Sequence, residues 1–120
     1  MRRSTILLVT VLLASASVDA AEYKACSESP ELVGTCWNLR GRVSYFNGNP
    51  SIRIWPVGTN RMLGVRESDP PLLPPELQER LSWQSSVFSD LRVCPLSAQQ
   101  RGHMQIVCVA AAKNSREGAK

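Results

Sequence analysis

From Trp37 onward, apolar and polar side chains alternate with a period of two. Leu39, Gly41, Val43 and Tyr45 fall on one side, and Arg40, Arg42, Ser44 and Phe46 on the other. That alternation predicts a half-buried strand. Asn47-Gly48-Asn49-Pro50 then predicts a turn, because Asn and Gly accept positive φ and a proline cannot sit inside a ladder. A return strand is expected over 51–57, with Ile52 and Ile54 inside and Arg53 and Trp55 outside. Two registers compete. A two-residue Asn47-Gly48 loop pairs Val43 with Ile52 and sets Arg42 against Arg53, a like-charge cost. A loop centred one residue later pairs Tyr45 with Ile52 and lays Arg42 against Trp55, a cation–π contact worth about 0.5–1 kcal/mol. The second register is preferred.

Gly58-Thr59-Asn60 makes the next turn, and 61–66 a short third strand around Met62-Leu63. Residues 67–75 (ESDPPLLPP) form a stiff crossing, since paired prolines exclude both helix and strand interiors. Pro75 suits the first position of a helix, with Glu76 and Glu79 near its positive end. Leu77 and Leu81 make an i,i+4 apolar pair, and Glu76 with Arg80 an outward ion pair. About two turns are expected, ending near Trp83, too short to stand without burying the leucine face. Strands over 87–96 and 104–112 close the chain. With the 97–103 loop centred on Arg101, Cys94 faces Cys108, Val93 faces Val109 and Leu91 faces Ala111. The charged stretch 113–120 is expected to fray.

The order β-β-β-α-β-β is mostly β. It is the order of the small five-stranded oligonucleotide/oligosaccharide-binding barrel, whose single helix plugs one end. A small sandwich or an open sheet with the helix across it is the simpler alternative. One segment follows no such period. Arg2 and Arg3 precede the apolar run 5–13, and small residues follow up to Ala20. This reads as an export leader over 1–20, too short for a span that needs roughly 20 apolar residues. The implied organisation is a leader (1–20), an N-terminal arm (21–36), one β-rich domain (37–112) and a flexible tail (113–120). The compartment is periplasmic or secreted.

An oxidising compartment turns the four cysteines, Cys26, Cys36, Cys94 and Cys108, into two disulfides. Three pairings are possible. Cys26–Cys36 with Cys94–Cys108 is preferred, because the second pair joins facing positions of one hairpin. Each would close a short loop, worth about 3 kcal/mol. The spacings are too wide for a zinc knuckle, so no metal is expected.

The segments Gly41-Arg42-Val43, Asn47-Gly48-Asn49-Pro50-Ser51 and RIWPVGTNRMLGV at 53–65 carry a resemblance. With VCPL at 93–96 and MQIVCV at 104–109, they resemble a group of small exported bacterial proteins of unassigned activity. The resemblance implies an exported domain with a GRVSYFNGNPSIRIWPVGTNRMLGV-like core. It carries over no substrate and no catalytic residue.

Candidate chemistry is sparse. His103 is the one histidine, Asp69 and Asp90 are the only aspartates after the leader, and no phosphate-loop, dinucleotide or HExxH motif occurs. A non-enzymatic protein without a cofactor is therefore expected. With Arg2, Arg3 and Asp19 set aside, 12 basic side chains stand against 9 acidic ones. Their arrangement matters more than the balance. Arg40, Arg42, Arg53 and Trp55 share the outer face of the first two strands, with Phe46 at the tip and Arg61 and Arg66 flanking. Arginines interleaved with aromatics can hold an anionic polymer. They can equally be a solvated cover over Trp55 on an exposed strand. Export makes nucleic acid a poor candidate and an anionic envelope polymer or envelope protein a better one. The expected role is a binding or structural module. The alternatives are a scaffold that uses a strand edge, and a small enzyme or enzyme inhibitor working through the 97–103 loop.

Overall fold

The computed structural model of the chain describes residues 5–6 and 22–119. The leader reading and its cut after Ala20 lie, apart from 5–6, outside the described residues. The elements are α1 (Lys24–Ser27), β1 (Trp37–Tyr45), β2 (Ile52–Pro56), β3 (Leu63–Val65), α2 (Pro75–Arg80), β4 (Ser85–Pro95) and β5 (Gln105–Ala119). The fold is mostly β, as the alternation predicts, but it has two short helices rather than one. The additional helix, α1, is a single turn inside the arm.

The five strands pair in the order β1-β2-β3-β5-β4, and β4 returns to β1, so the sheet closes on itself. All neighbours are antiparallel except β3 and β5. The preferred hairpin register is the one adopted: Tyr45 faces Ile52, Val43 faces Ile54 and Arg42 faces Trp55. Inside the ring, Val43, Ile54, Leu63, Leu91, Val93, Val107 and Val109 are buried. Leu77 of α2 and Leu81, the residue just after it, join the same core. Pro75 opens α2 as expected. The Glu76–Arg80 ion pair does not form; Arg80 donates instead to the Ser115 carbonyl at 3.0 Å.

Gly41 is required by packing. A Cβ there would stand 2.8 Å from Ile54 Cγ2 and 2.8 Å from Leu39 Cδ1. Its bare backbone lets the sheet curl tightly enough for those side chains to meet.

Two departures from expectation come from β5. It runs to Ala119, so the stretch expected to fray as a tail is strand paired with Ser85–Asp90 of β4. Two register shifts, between Phe88 and Asp90 and between Arg92 and Val93, place extra residues on β5. Asn114, with φ 53°, sits at the first. Asn tolerates that left-handed conformation, and such bulges bend and twist a strand. The second shift sets Leu91 opposite Ala112 rather than Ala111, while Val93 faces Val109 and Cys94 faces Cys108 as expected.

The disulfide pairing is the main correction. Cys26 bonds Cys108 and Cys36 bonds Cys94. Cys94 and Cys108 do face each other, yet each takes a partner from the arm. The arm lies against these strands: the Tyr23 amide donates to Ala110 at 2.6 Å and the Val33 amide to Pro95 at 3.0 Å. β3 is only three residues long, so much of the outer edge of β5 lacks a strand. Tyr23 and Leu72, which accepts from the Val109 amide at 2.9 Å, cover part of it. The long loops closed this way restrict the unfolded chain more than two local loops would: each bond taken alone is worth about 4–4.5 kcal/mol, against about 3 for a local loop.

Candidate functional site

The outer face of β2, β1, β4 and β5 carries a row set by three registers. Trp55 faces Arg42, Arg42 faces Phe88, and Phe88 faces Arg116. Aromatic and guanidinium groups therefore alternate across four neighbouring strands. The Arg42 guanidinium lies 5.1 Å from the Trp55 ring centroid, and Arg116 lies 5.1 Å from that of Phe88. Such contacts hold a flat cation against a ring while its remaining N–H edge stays open. The Trp55 indole is fixed in turn, because Nε1 donates to the Thr59 carbonyl at 2.7 Å.

Two residues along, toward the β1–β2 turn, the pattern is continued by Arg53. Its guanidinium lies 5.0 Å from the Phe46 centroid, and its Nε donates to the Pro50 carbonyl at 3.1 Å. Between the strands at this level, the Ser44 and Ser86 hydroxyls bond each other and are buried. Among the described residues, Arg42, Arg53 and Arg116 form no ion pair.

Toward the other end, Arg40 pairs with Asp90 at 3.1 Å, both about a third exposed. Asn114 Nδ2 donates to the second Asp90 oxygen at 2.8 Å. The Asn114 hydrogen bond, then that of Arg40, holds the Asp90 carboxyl below its ordinary range, against a smaller opposing effect of burial. Asp90 is the one carboxylate at the outward positions of these four strands, and Arg40 neutralises it. Beyond it a hollow of about 700 Å³ is lined by Asn38, Asp90, Arg92 and Lys113 among others. Its charges are largely matched, since Arg92 meets Glu22 at 3.3 Å. Among the described residues the hollow keeps one cation outside an ion pair, Lys113, whereas the row and its Arg53 neighbour keep three, Arg42, Arg53 and Arg116.

Of the five residues expected to share a site, Arg40, Arg42, Arg53 and Trp55 do lie on one face. Arg61 does not. It leaves the β2–β3 turn for the seam between β3 and β5, where Nη2 donates to Gln105 Oε1 at 3.1 Å. The face also departs from the strand-two and strand-three surface where ligands of oligonucleotide/oligosaccharide-binding barrels bind. All three β3 residues are buried, so the charge spreads around β1 toward β4 and β5.

Phe88 and Arg116 were missed by sequence reasoning. The outward alternation of Phe88, Asp90 and Arg92 in β4 was the available signal for the first. Arg116 gave none, because it lies in a charged stretch that reads as tail. Elsewhere, His103 is exposed in the β4–β5 turn and Asp69 is exposed in the crossing. The sulfur atoms of Cys26, Cys94 and Cys108 lie within 4.8 Å of one another. All three are oxidised in disulfides, which leaves no thiolate to ligate a metal. Among the described residues no helix is long and apolar enough to cross a membrane. Set against family models, curated proteins and solved structures, the chain matches none of them.

Proposed function

We propose that this protein is a non-enzymatic binding module of the cell envelope that holds an anionic ligand on its arginine and aromatic face. The observation that carries the reading is the state of Arg42, Arg53 and Arg116. Each guanidinium lies against a ring, none has an acidic partner among the described residues, and the one carboxylate on the face is already neutralised. A surface whose arginines only kept a strand soluble would pair them with acids more often, since mixed charge serves solubility as well. The leader and the two disulfides support a periplasmic or secreted location. The cyclic strand order with a helix between β3 and β4 supports an oligonucleotide/oligosaccharide-binding-type barrel. The likeness of residues 41–65 to small exported bacterial proteins fits the same compartment. No cofactor enters this reading.

A second reading has one observation behind it. Beyond Ala112, β5 pairs only with β4 among the described residues, so its outer edge could take a partner strand in an assembly. Against it, Lys113, Arg116 and Glu117 charge that stretch, and Arg80 already occupies the Ser115 carbonyl. The test is retention of the exported protein on immobilised envelope polyanions, for the native chain and for R42A, R53A and W55A. Lost retention with an unchanged unfolding midpoint supports the face. Retention unchanged in all three overturns it.

A further inference from the structure

We infer, resting on the proposed anion-binding role of this face, that its ligand is a linear polysaccharide with one carboxylate per disaccharide, laid across the strands. The argument is the spacing of the row. Arg42 projects from β1 over Trp55 on β2, and Arg116 projects from β5 over Phe88 on β4. Both lean in the same direction along the row, so the two cations stay two strands apart, a spacing of about 10 Å at the backbone. The rings hold them there; without rings, side chains this long would roam and define no spacing.

Between the two cations lies an apolar surface, the Arg42 stem, bordered by the edge of the Phe88 ring that Arg116 covers. A polyphosphate, its phosphorus atoms joined through single oxygens, would put several anionic groups into that interval, and a nucleic-acid strand, with one phosphate per nucleotide, would put at least one there. Those charges would meet no cation. An acidic glycan matches better. Its carboxylates recur about once per disaccharide, close to the interval between the arginines. The sugar ring between them offers a C–H face to the apolar surface. Each guanidinium edge can take a carboxylate through two parallel hydrogen bonds. The carboxylate can be on the ring, as in a uronic acid, or on an ether substituent, as in a muramic acid. Both place it at the same interval.

Arg53 separates this proposal from a general attraction to anions. It lies off the row, at the level of Ser44 and Ser86, and leans on Phe46. A chain following the row passes it by.

The experiment is calorimetric titration of the full exported protein at one fixed salt concentration. The probes are a hexasaccharide alternating glucuronate with N-acetylglucosamine, a peptide-free glycan alternating N-acetylglucosamine with N-acetylmuramate, neutral chitohexaose, and oligothymidylate and polyphosphate of equal total charge. At least one acidic glycan is expected to bind at least about tenfold tighter than chitohexaose and than either phosphate polymer. R42A and R116A are each expected to weaken it about tenfold, the scale of one charged hydrogen-bonding group, and R53A less than about twofold. R42Q, which keeps part of the stem over Trp55, replaces R42A should the alanine lower the unfolding midpoint. Whichever acidic glycan binds tighter identifies the source of the carboxylate. Tighter binding of oligothymidylate or polyphosphate, lost in R42A, overturns the glycan and leaves the face standing. An R53A loss equal to that of R116A overturns the row. If no anion binds in a way that R42A, R53A or R116A alters, the face reading itself falls.

Discussion

Removing the Cys26–Cys108 disulfide with C26A/C108A tests the way the arm is stapled to the sheet. The bond spans 82 residues of sequence, and alone it would be worth about 4.5 kcal/mol in unfolded-state entropy. It is not alone. Cys36–Cys94 lies nested within it, with a span of 58 residues. With that inner bond intact, the route from Cys26 to Cys108 runs through it. The route is short, covering Cys26 to Cys36 on one side and Cys94 to Cys108 on the other, about 24 residues in all. A loop of that size is worth about 3.5 kcal/mol on the same relation. Alanine is the right replacement because both sites are fully buried, where a serine hydroxyl would add its own cost.

The assay is urea unfolding of the oxidised protein, with a thiol count on each sample. The expected result is a loss of about 3.5 kcal/mol, with no free thiol, because Cys36 and Cys94 remain bonded to each other. Local pairing would leave Cys36 and Cys94 both without partners, and two free thiols would refute the connectivity. A loss under about 1 kcal/mol with no free thiols would refute the nested-loop reasoning instead.

Three further outcomes follow from the packing and the charge network. L77A removes a fully buried side chain through which α2 joins the core, and should cost about 3–5 kcal/mol in the same unfolding assay. A loss near zero would mean that α2 does not close the core. G41A forces a methyl to within 2.8 Å of Ile54 and Leu39 and should destabilise by about 1–2 kcal/mol, although alanine elsewhere tends to stabilise a glycine site. A gain would show that the inner face is looser than described. N114G keeps the left-handed backbone and removes the amide that most strongly lowers the Asp90 titration. A depressed folded value contributes stability above the ordinary carboxylate range, lost as pH falls through that range toward the depressed value. N114G should raise the Asp90 titration, followed by carboxyl-carbon NMR, and flatten the acid limb of stability. An unchanged titration would remove Asn114 from the account.

Much of the sheet was legible from alternation alone. The β1–β2 register followed from like-charge avoidance and one cation–π contact, both decided by residues a few positions apart. The start of α2 at Pro75 and the burial of Leu77 and Leu81 were equally local. The facing of Cys94 and Cys108 was read correctly, whereas the bonds they make were not. A facing pair says which sulfur atoms are near each other, not which third and fourth sulfur atoms the arm delivers to them. The end of β5 was hidden for another reason. Its Lys113, Arg116 and Glu117 look like solvated tail, and the bulge at Asn114 breaks the period of two that would have marked a strand.

The proposed binding face divides along the same line. By itself the sequence determined that Arg40, Arg42, Arg53 and Trp55 share one side of a hairpin, because side chains alternate strictly within a strand. Only the tertiary structure brought in Phe88 and Arg116 and sent Arg61 to another seam. Closure of the sheet made β4 a neighbour of β1, and a bulge carried the end of β5 alongside β4. Both events join residues tens of positions apart, and no local period records them.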